Sequence, residues 1–269
     1  MNRYAVPAAM AAAGAAGIAW CARAGRTHPH IAYLTGWGLL AAVVVLALYN
    51  ARKKLSFLPL VSSRAWLRLH SWLGMFAAVL FFMHAGWHVP TSPLGAVLLA
   101  LFVGVTLSGV IGWWLSKVLP RRLTSAGGEV PYERIPVIRR ALREKAESLV
   151  VAGIPIAGAS TLADFYAARL SSFFAGPANF TAHLLGSNHS LNSMLADLGE
   201  AKKYLSNHER SSAIELAALV REKDALDLHR SMQLVLKGWL FVHIPLTYAM
   251  LSFIVIHVVV IYSYAGGAR

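Results

Sequence analysis

Long apolar runs occupy both ends of the chain, and a polar stretch of over a hundred residues separates the last of them from the rest. The runs are Tyr4 to Ala22, Ile31 to Tyr49, Ala65 to Trp87, Leu94 to Val118 and Val235 to Tyr264. Each is near the length of about 20 residues that an α-helix needs to cross the hydrocarbon core of a bilayer. Lipid offers the backbone no hydrogen bonds, so such segments must satisfy their own, which only a helix does locally. The pattern predicts an all-α fold, a polytopic membrane helical bundle of about five transmembrane helices. The first run is Ala-rich and follows Arg3, a pattern that signal sequences share; it is read as a retained span. Pro90, Pro93 and Pro120 predict helix boundaries, and Pro245 predicts a kink inside the last span.

Between the fourth and fifth runs the period changes. Ile135 to Leu149 reads as a basic amphipathic helix. Ser160-Thr161-Leu162-Ala163-Asp164 reads as the capped start of a second, ending near Phe174. Leu191 to Leu205 and Ser211 to Leu226 are further helical segments. The chain thus divides into residues 1–120 with four spans, a mainly helical cytoplasmic insertion over residues 121–234, and residues 235–269 with the fifth span and a short outer tail.

Composition sharpens this picture. Of all residues 57% are hydrophobic and 14% charged, which is a membrane balance. All 12 acidic residues lie between Glu129 and Asp227, so the +13 net charge belongs mostly to the loops and ends of the apolar spans. Cations flanking apolar helices suit lipid headgroups and anionic cofactor groups rather than nucleic acid. Arg52, Lys53, Lys54 and Arg64 precede the third span, Arg121 and Arg122 follow the fourth, and no Lys or Arg joins the two. The positive-inside rule then places the amino terminus in the cytoplasm and the carboxyl terminus outside, with Arg23 and Arg26 as a minor dissent. The single cysteine, Cys21, excludes an intramolecular disulfide, and there is no C-x-x-C-H for covalent haem.

Four histidines carry the candidate chemistry. His70 and His84 stand fourteen residues apart in the third span, and His243 and His257 stand fourteen apart in the fifth. Fourteen residues make almost four helical turns and rise about 21 Å. Each pair therefore shares one face, with one imidazole near each side of a bilayer. An ionisable group at that depth is costly and points to function. Spans three and five run in the same direction, so His70 is level with His243 and His84 with His257. Two imidazoles at one level suit the two axial positions of a haem iron, which implies two non-covalent b-type haems stacked across the membrane. The second ring nitrogen of a ligand histidine needs an acceptor, and Ser71, Thr247 or backbone carbonyls are expected to supply it. Gly74, one turn beyond His70, leaves room for a macrocycle, and Arg68 and Lys237 stand where propionates could pair with them. Gly104, Ser108 and Gly112 form a small-residue stripe of the close-packing kind.

Each of these features has a plainer reading. A membrane histidine can simply hydrogen-bond to a neighbouring helix, small-residue stripes occur without cofactors, and Arg68 and Lys237 equally suit headgroups. His88 competes with His84 for the outer level. His229 lies fourteen residues before His243 but among Asp224, Asp227 and Arg230, where a solvated or salt-bridged side chain is expected. His28-Pro29-His30 has the spacing of a surface metal site, a common accident.

The histidine pairs resemble those of the di-haem cytochrome b superfamily. Leu69-His70-Ser71-Trp72-Leu73-Gly74 and Lys237-Gly238-Trp239-Leu240-Phe241-Val242-His243-Ile244-Pro245-Leu246 resemble, more narrowly, bacterial membrane cytochromes that accompany multihaem c-type proteins. The resemblance implies electron transfer in a bacterial inner membrane, between the quinone pool and a redox partner protein such as a multihaem c-type cytochrome. No motif marks a quinone site. A non-redox membrane anchor or scaffold, and a metal reductase core fed from a cytoplasmic donor, are the alternatives.

Overall fold

The computed structural model describes residues 30–54, 63–86, 88–125, 130–152 and 161–266. The first apolar run (Tyr4 to Ala22), Cys21, His28 and Trp87 lie outside them. Among the described residues there is no strand. Helices α1 (His30–Lys54), α2 (Ser63–Ala85) and α3 (Pro93–Ser125) come first, followed by α4 (Ile135–Ala152) after a 3-10 turn at Tyr132–Arg134. Then come α5 (Thr161–Phe165), a π-helical segment (Tyr166–Leu170), α6 (Ser171–Ala175), α7 (Phe180–Leu185), α8 (His189–Ala201), a 3-10 turn at Lys202–Tyr204, and α9 (Asn207–Gly266).

Among the described residues three helices are long and apolar enough to cross a membrane, within Ala65–Ala85, Pro93–Leu123 and Glu209–Tyr264, while the apolar part of α1, Tyr33–Tyr49, is shorter. Two of the expected boundaries are corrected. Pro93 begins α3 at the position where a missing N–H costs nothing, but Pro120 does not end it, and the helix runs on to Ser125. The segment Ser211 to Leu226 and the span Val235 to Tyr264 are not separate helices; they belong to the continuous α9, with Pro245 inside it. Nothing in the intervening residues 227–234 breaks a helix, since no Gly or Pro occurs there. The short α7 is not expected from the sequence pattern. It begins after Asn179, whose φ is 59°, and ends at Gly186, whose φ is 71°. Both are left-handed conformations that Asn and Gly tolerate best.

The chain forms two units, one within Met1–Trp114 and Trp239–Arg269, the other Leu115–Gly238. In the first, Val43 of α1, Phe102 of α3 and Met250 of α9 form a small buried cluster, joined by Leu39, Ala78, Phe81, Leu101, Val105, Leu251 and Ile254. Phe81 stacks on Phe102 with ring centres 4.0 Å apart. This cluster draws on all four described helices of the unit.

The second unit has a deeper core, in which α4 (Leu142, Ala146, Val150), Leu162, Leu170, Phe173, Phe174, Leu198 and the first part of α9 (Leu216, Val220, Leu226) pack together. Its long helix starts with a capping box: the Glu209 amide donates to Ser206 Oγ at 3.4 Å, and Glu209 Oε2 accepts the Ser206 amide at 2.9 Å. Glu209 Oε1 also accepts the Leu162 amide at 3.3 Å, which ties the start of α9 to α5.

Candidate functional site

Of the two histidine pairs that the spacing implies, one brings its rings close together. The rings of His84 (α2) and His257 (α9) have centroids 6.4 Å apart and planes at 89°. His70 (α2) lies within electrostatic reach of His243 (α9). Only helices running in the same direction bring both pairs together with equal spacing, so α2 and α9 are co-directional within this unit.

Helix α1 runs against α2 and serves both levels. At the His84 level, a Cβ on Gly36 would stand 2.9 Å from His84 Cε1, so the absent side chain is what lets the imidazole lie against the helix. At the His70 level, the Tyr49 ring is 4.9 Å from the His70 ring, and Leu46 offers its backbone. His70 Nδ1 is buried without a hydrogen-bond partner of good geometry. The apolar cluster around Val43, Ala78 and Met250 falls between the levels, at the sequence midpoint of each pair.

Helix α3 serves the lower level. Ser108 Oγ is 2.8 Å from His243 Nδ1. Trp239, one turn before His243, stacks on its ring at 5.2 Å and 22°, and the Trp239 indole N–H donates to the Ser108 carbonyl at 2.8 Å. A Cβ on Gly112 would stand 2.0 Å from Trp239 Cζ2, so glycine is required for the indole to fit. A Cβ on Gly104 would lie 4.0 Å from Leu246 Cδ1. The stripe Gly104, Ser108, Gly112 is thus the surface that receives the histidine-bearing face of α9.

One expectation changes here, that of the supporting hydroxyls. Ser71 and Thr247 do not support the imidazoles; each bonds one turn back along its own helix, to the Leu67 carbonyl at 2.9 Å and the His243 carbonyl at 2.8 Å. A hydroxyl in a helix interior reaches that carbonyl more easily than a neighbouring ring. Lys237 is engaged by Tyr132, 3.6 Å from the ring centre, and by Glu133 at 3.7 Å. Arg68 is exposed on α2, and nothing stands within 4 Å of where a Cβ on Gly74 would be. His88 Nδ1 meets the Gly86 carbonyl at 3.1 Å on an exposed turn, and His257 pairs with His84 instead.

His229 is 2% exposed, so of its two expected states, solvated or salt-bridged, the solvated one does not hold. It belongs to a group of polar residues inside the second unit. Lys223 and Asp227 form an ion pair with side chains 0% and 1% exposed. Lys223 Nζ also donates to the Gly176 carbonyl at 2.8 Å and sits 3.9 Å over the Phe173 ring. Asp227 accepts the Ala178 amide at 2.9 Å, Asp224 accepts from Asn179 Nδ2 at 3.0 Å, and His183 Nε2 lies 3.5 Å from Asp224. These groups brace the turn between α6 and α7 against α9, which accounts for their burial without any ligand.

Comparison with known protein families, with curated proteins and with solved structures finds no match to this chain. Among the described residues no group of three or more His, Cys, Asp or Glu side chains is placed to hold a metal ion. The histidine levels are pairs. A pair fits a metal whose remaining ligands come from a macrocycle. Two imidazoles bonded to one ion at the usual distance of about 2 Å have ring centres roughly 6 Å apart, which the His84–His257 separation matches.

Proposed function

We propose that this chain is an integral membrane electron carrier that holds two b-type haems, one between His84 and His257 and one between His70 and His243. The observation that carries the proposal is the approach of His84 to His257, ring centres 6.4 Å apart, with His70 and His243 fourteen residues before them on the same two helices. In the proposed arrangement five spans cross an inner membrane, with the amino terminus in the cytoplasm. His84 with His257 and His70 with His243 would hold the haems, which when bound would supply one-electron transfer rather than activation of substrate. Tyr49, Gly36 and Trp239 pack around the rings and set their orientation. Electrons exchange with the quinone pool and with a redox partner protein, such as a multihaem c-type cytochrome.

A pyridine haemochrome assay on the purified full-length protein tests the reading. Two b-type haems per chain are expected. A chain that binds none would be a membrane scaffold instead.

A further inference from the structure

The two levels are not built alike. At the upper one, His84 lies against a helix surface with no side chain, at Gly36. At the lower one, a single residue of α3 holds both the imidazole and the indole stacked on it. Ser108 meets His243 Nδ1 through its hydroxyl and accepts the Trp239 N–H through its carbonyl, each at 2.8 Å. Ser108 is only 7% exposed, and Gly112 leaves the space that keeps Trp239 in place. Rotation of the His243 ring about its side-chain bonds would break the Ser108 contact and the indole stacking together.

We infer that Ser108 is the positioning residue of the lower histidine pair: it takes the Nδ1 proton of His243 in a hydrogen bond and so leaves Nε2 as the only lone-pair donor of that ring. The inference rests on the two-haem reading: the Ser108 hydroxyl can donate or accept, and a His243 ring that binds iron through Nε2 has only Nδ1 left to carry the proton. An imidazole has one proton to share between two nitrogens, and an acceptor at Nδ1 decides which keeps it. A hydrogen bond donated from Nδ1 also makes Nε2 a stronger base. A stronger donor favours the oxidised iron, so the Ser108 contact would lower the midpoint potential of the haem that His243 holds.

Nitrogen-15 NMR of the haem-free full-length protein in detergent, with the His243 signals identified by their loss in His243→Gln, reads the tautomer directly. The expected result is protonated Nδ1 and bare Nε2 in the wild type, a mixed tautomer in Ser108→Ala, and recovery in Ser108→Thr. A wild-type ring protonated at Nε2 would overturn the assignment. Redox titration of the haem-loaded proteins reads the consequence. With two haems still bound, Ser108→Ala should raise the midpoint of one and leave the other unmoved, and Ser108→Thr should restore the first. Two bound haems with unmoved potentials overturn the tuning role and leave the two-haem reading standing. A wild type without haem overturns that reading, and the NMR result still decides the role of Ser108.

Discussion

The two units are made of the same backbone element and are held together by different forces. In the second, apolar side chains turn inward to a core centred on Leu162, Leu170, Phe174 and Leu216, all fully buried. In the first, large apolar side chains point outward: Leu34 is 75% exposed, Met75 62% and Phe241 82%. Water drives the helices of the second unit together in proportion to the apolar surface they hide. Helices surrounded by lipid gain nothing that way, and they associate through close packing and polar contacts. In the proposed membrane setting the first unit depends on Gly36, Ser108 and Gly112, where backbone and ring approach closely. The second tolerates an ion pair in its interior because Lys223 and Asp227 each have a counter-charge and a backbone partner.

This contrast predicts how each unit fails. The largest effect is expected at the histidines. His84→Leu or His257→Leu should each remove one of two haems and leave the other, measured as haem per chain by haemochrome absorbance. Loss of both, or of neither, would contradict the two-level arrangement.

Next is Asp227→Ala, which leaves the buried Lys223 without its counter-charge. Breaking a buried pair on one side costs about 3–5 kcal/mol. Amide hydrogen exchange in α4 to α6 should speed up accordingly, and adding Lys223→Met should recover much of the loss. No recovery in the double variant would mean that the pair is not the source of the effect.

Gly112→Leu should displace the Trp239 ring from His243, at a cost of about 1–3 kcal/mol for a side chain forced into filled space. Thermal unfolding in detergent and the tryptophan emission spectrum would both register it, and an unchanged spectrum would show that the indole is not wedged there.

The smallest effect is expected at Tyr166, whose hydroxyl is buried without a hydrogen-bond partner. Tyr166→Phe removes that unsatisfied group and should be neutral or stabilising by about 1 kcal/mol. Burial, with a smaller push from Glu147, raises the Tyr166 phenol above its ordinary value of 10.0. The folded protein therefore keeps the phenol proton where the unfolded chain begins to lose it. The contribution to stability is full below the unfolded value and declines as pH rises through it toward the folded one. Denaturation followed across that alkaline range should show a shallower decline in Tyr166→Phe than in the wild type.

Much of the candidate site is legible in the sequence alone. The equal spacing of His70, His84, His243 and His257 is a property of the chain, and helical geometry turns it into two levels. Their support is not legible in the same way. Ser71 and Thr247 are suitable by nearness in sequence, but nearness along a helix favours bonds to the helix itself. Ser108 lies 135 residues from His243. Its only signal is a hydroxyl placed midway along an apolar small-residue stripe, and a polar group in such surroundings needs a partner. Gly36 has a comparable signal in Gly36-Trp37-Gly38, within an otherwise bulky apolar run. The burial of His229 is hidden for a related reason. Carboxylates around a histidine suggest water, and whether they fold over it depends on what α6 and α7 bring to α9.

What the sequence determines by itself is periodic and local: which segments are helical, which faces are apolar, and the interval between histidines along each helix. Hydrogen bonds within a helix and the rise per residue depend on nothing further away. The tertiary structure decides which side chains from distant segments arrive at the same point. That is how Gly36 comes to lie under His84, and Ser108 and Trp239 come to hold His243. Contacts of this kind follow from how ridges and gaps on two helices fit together, and that fit is a property of the pair rather than of either helix.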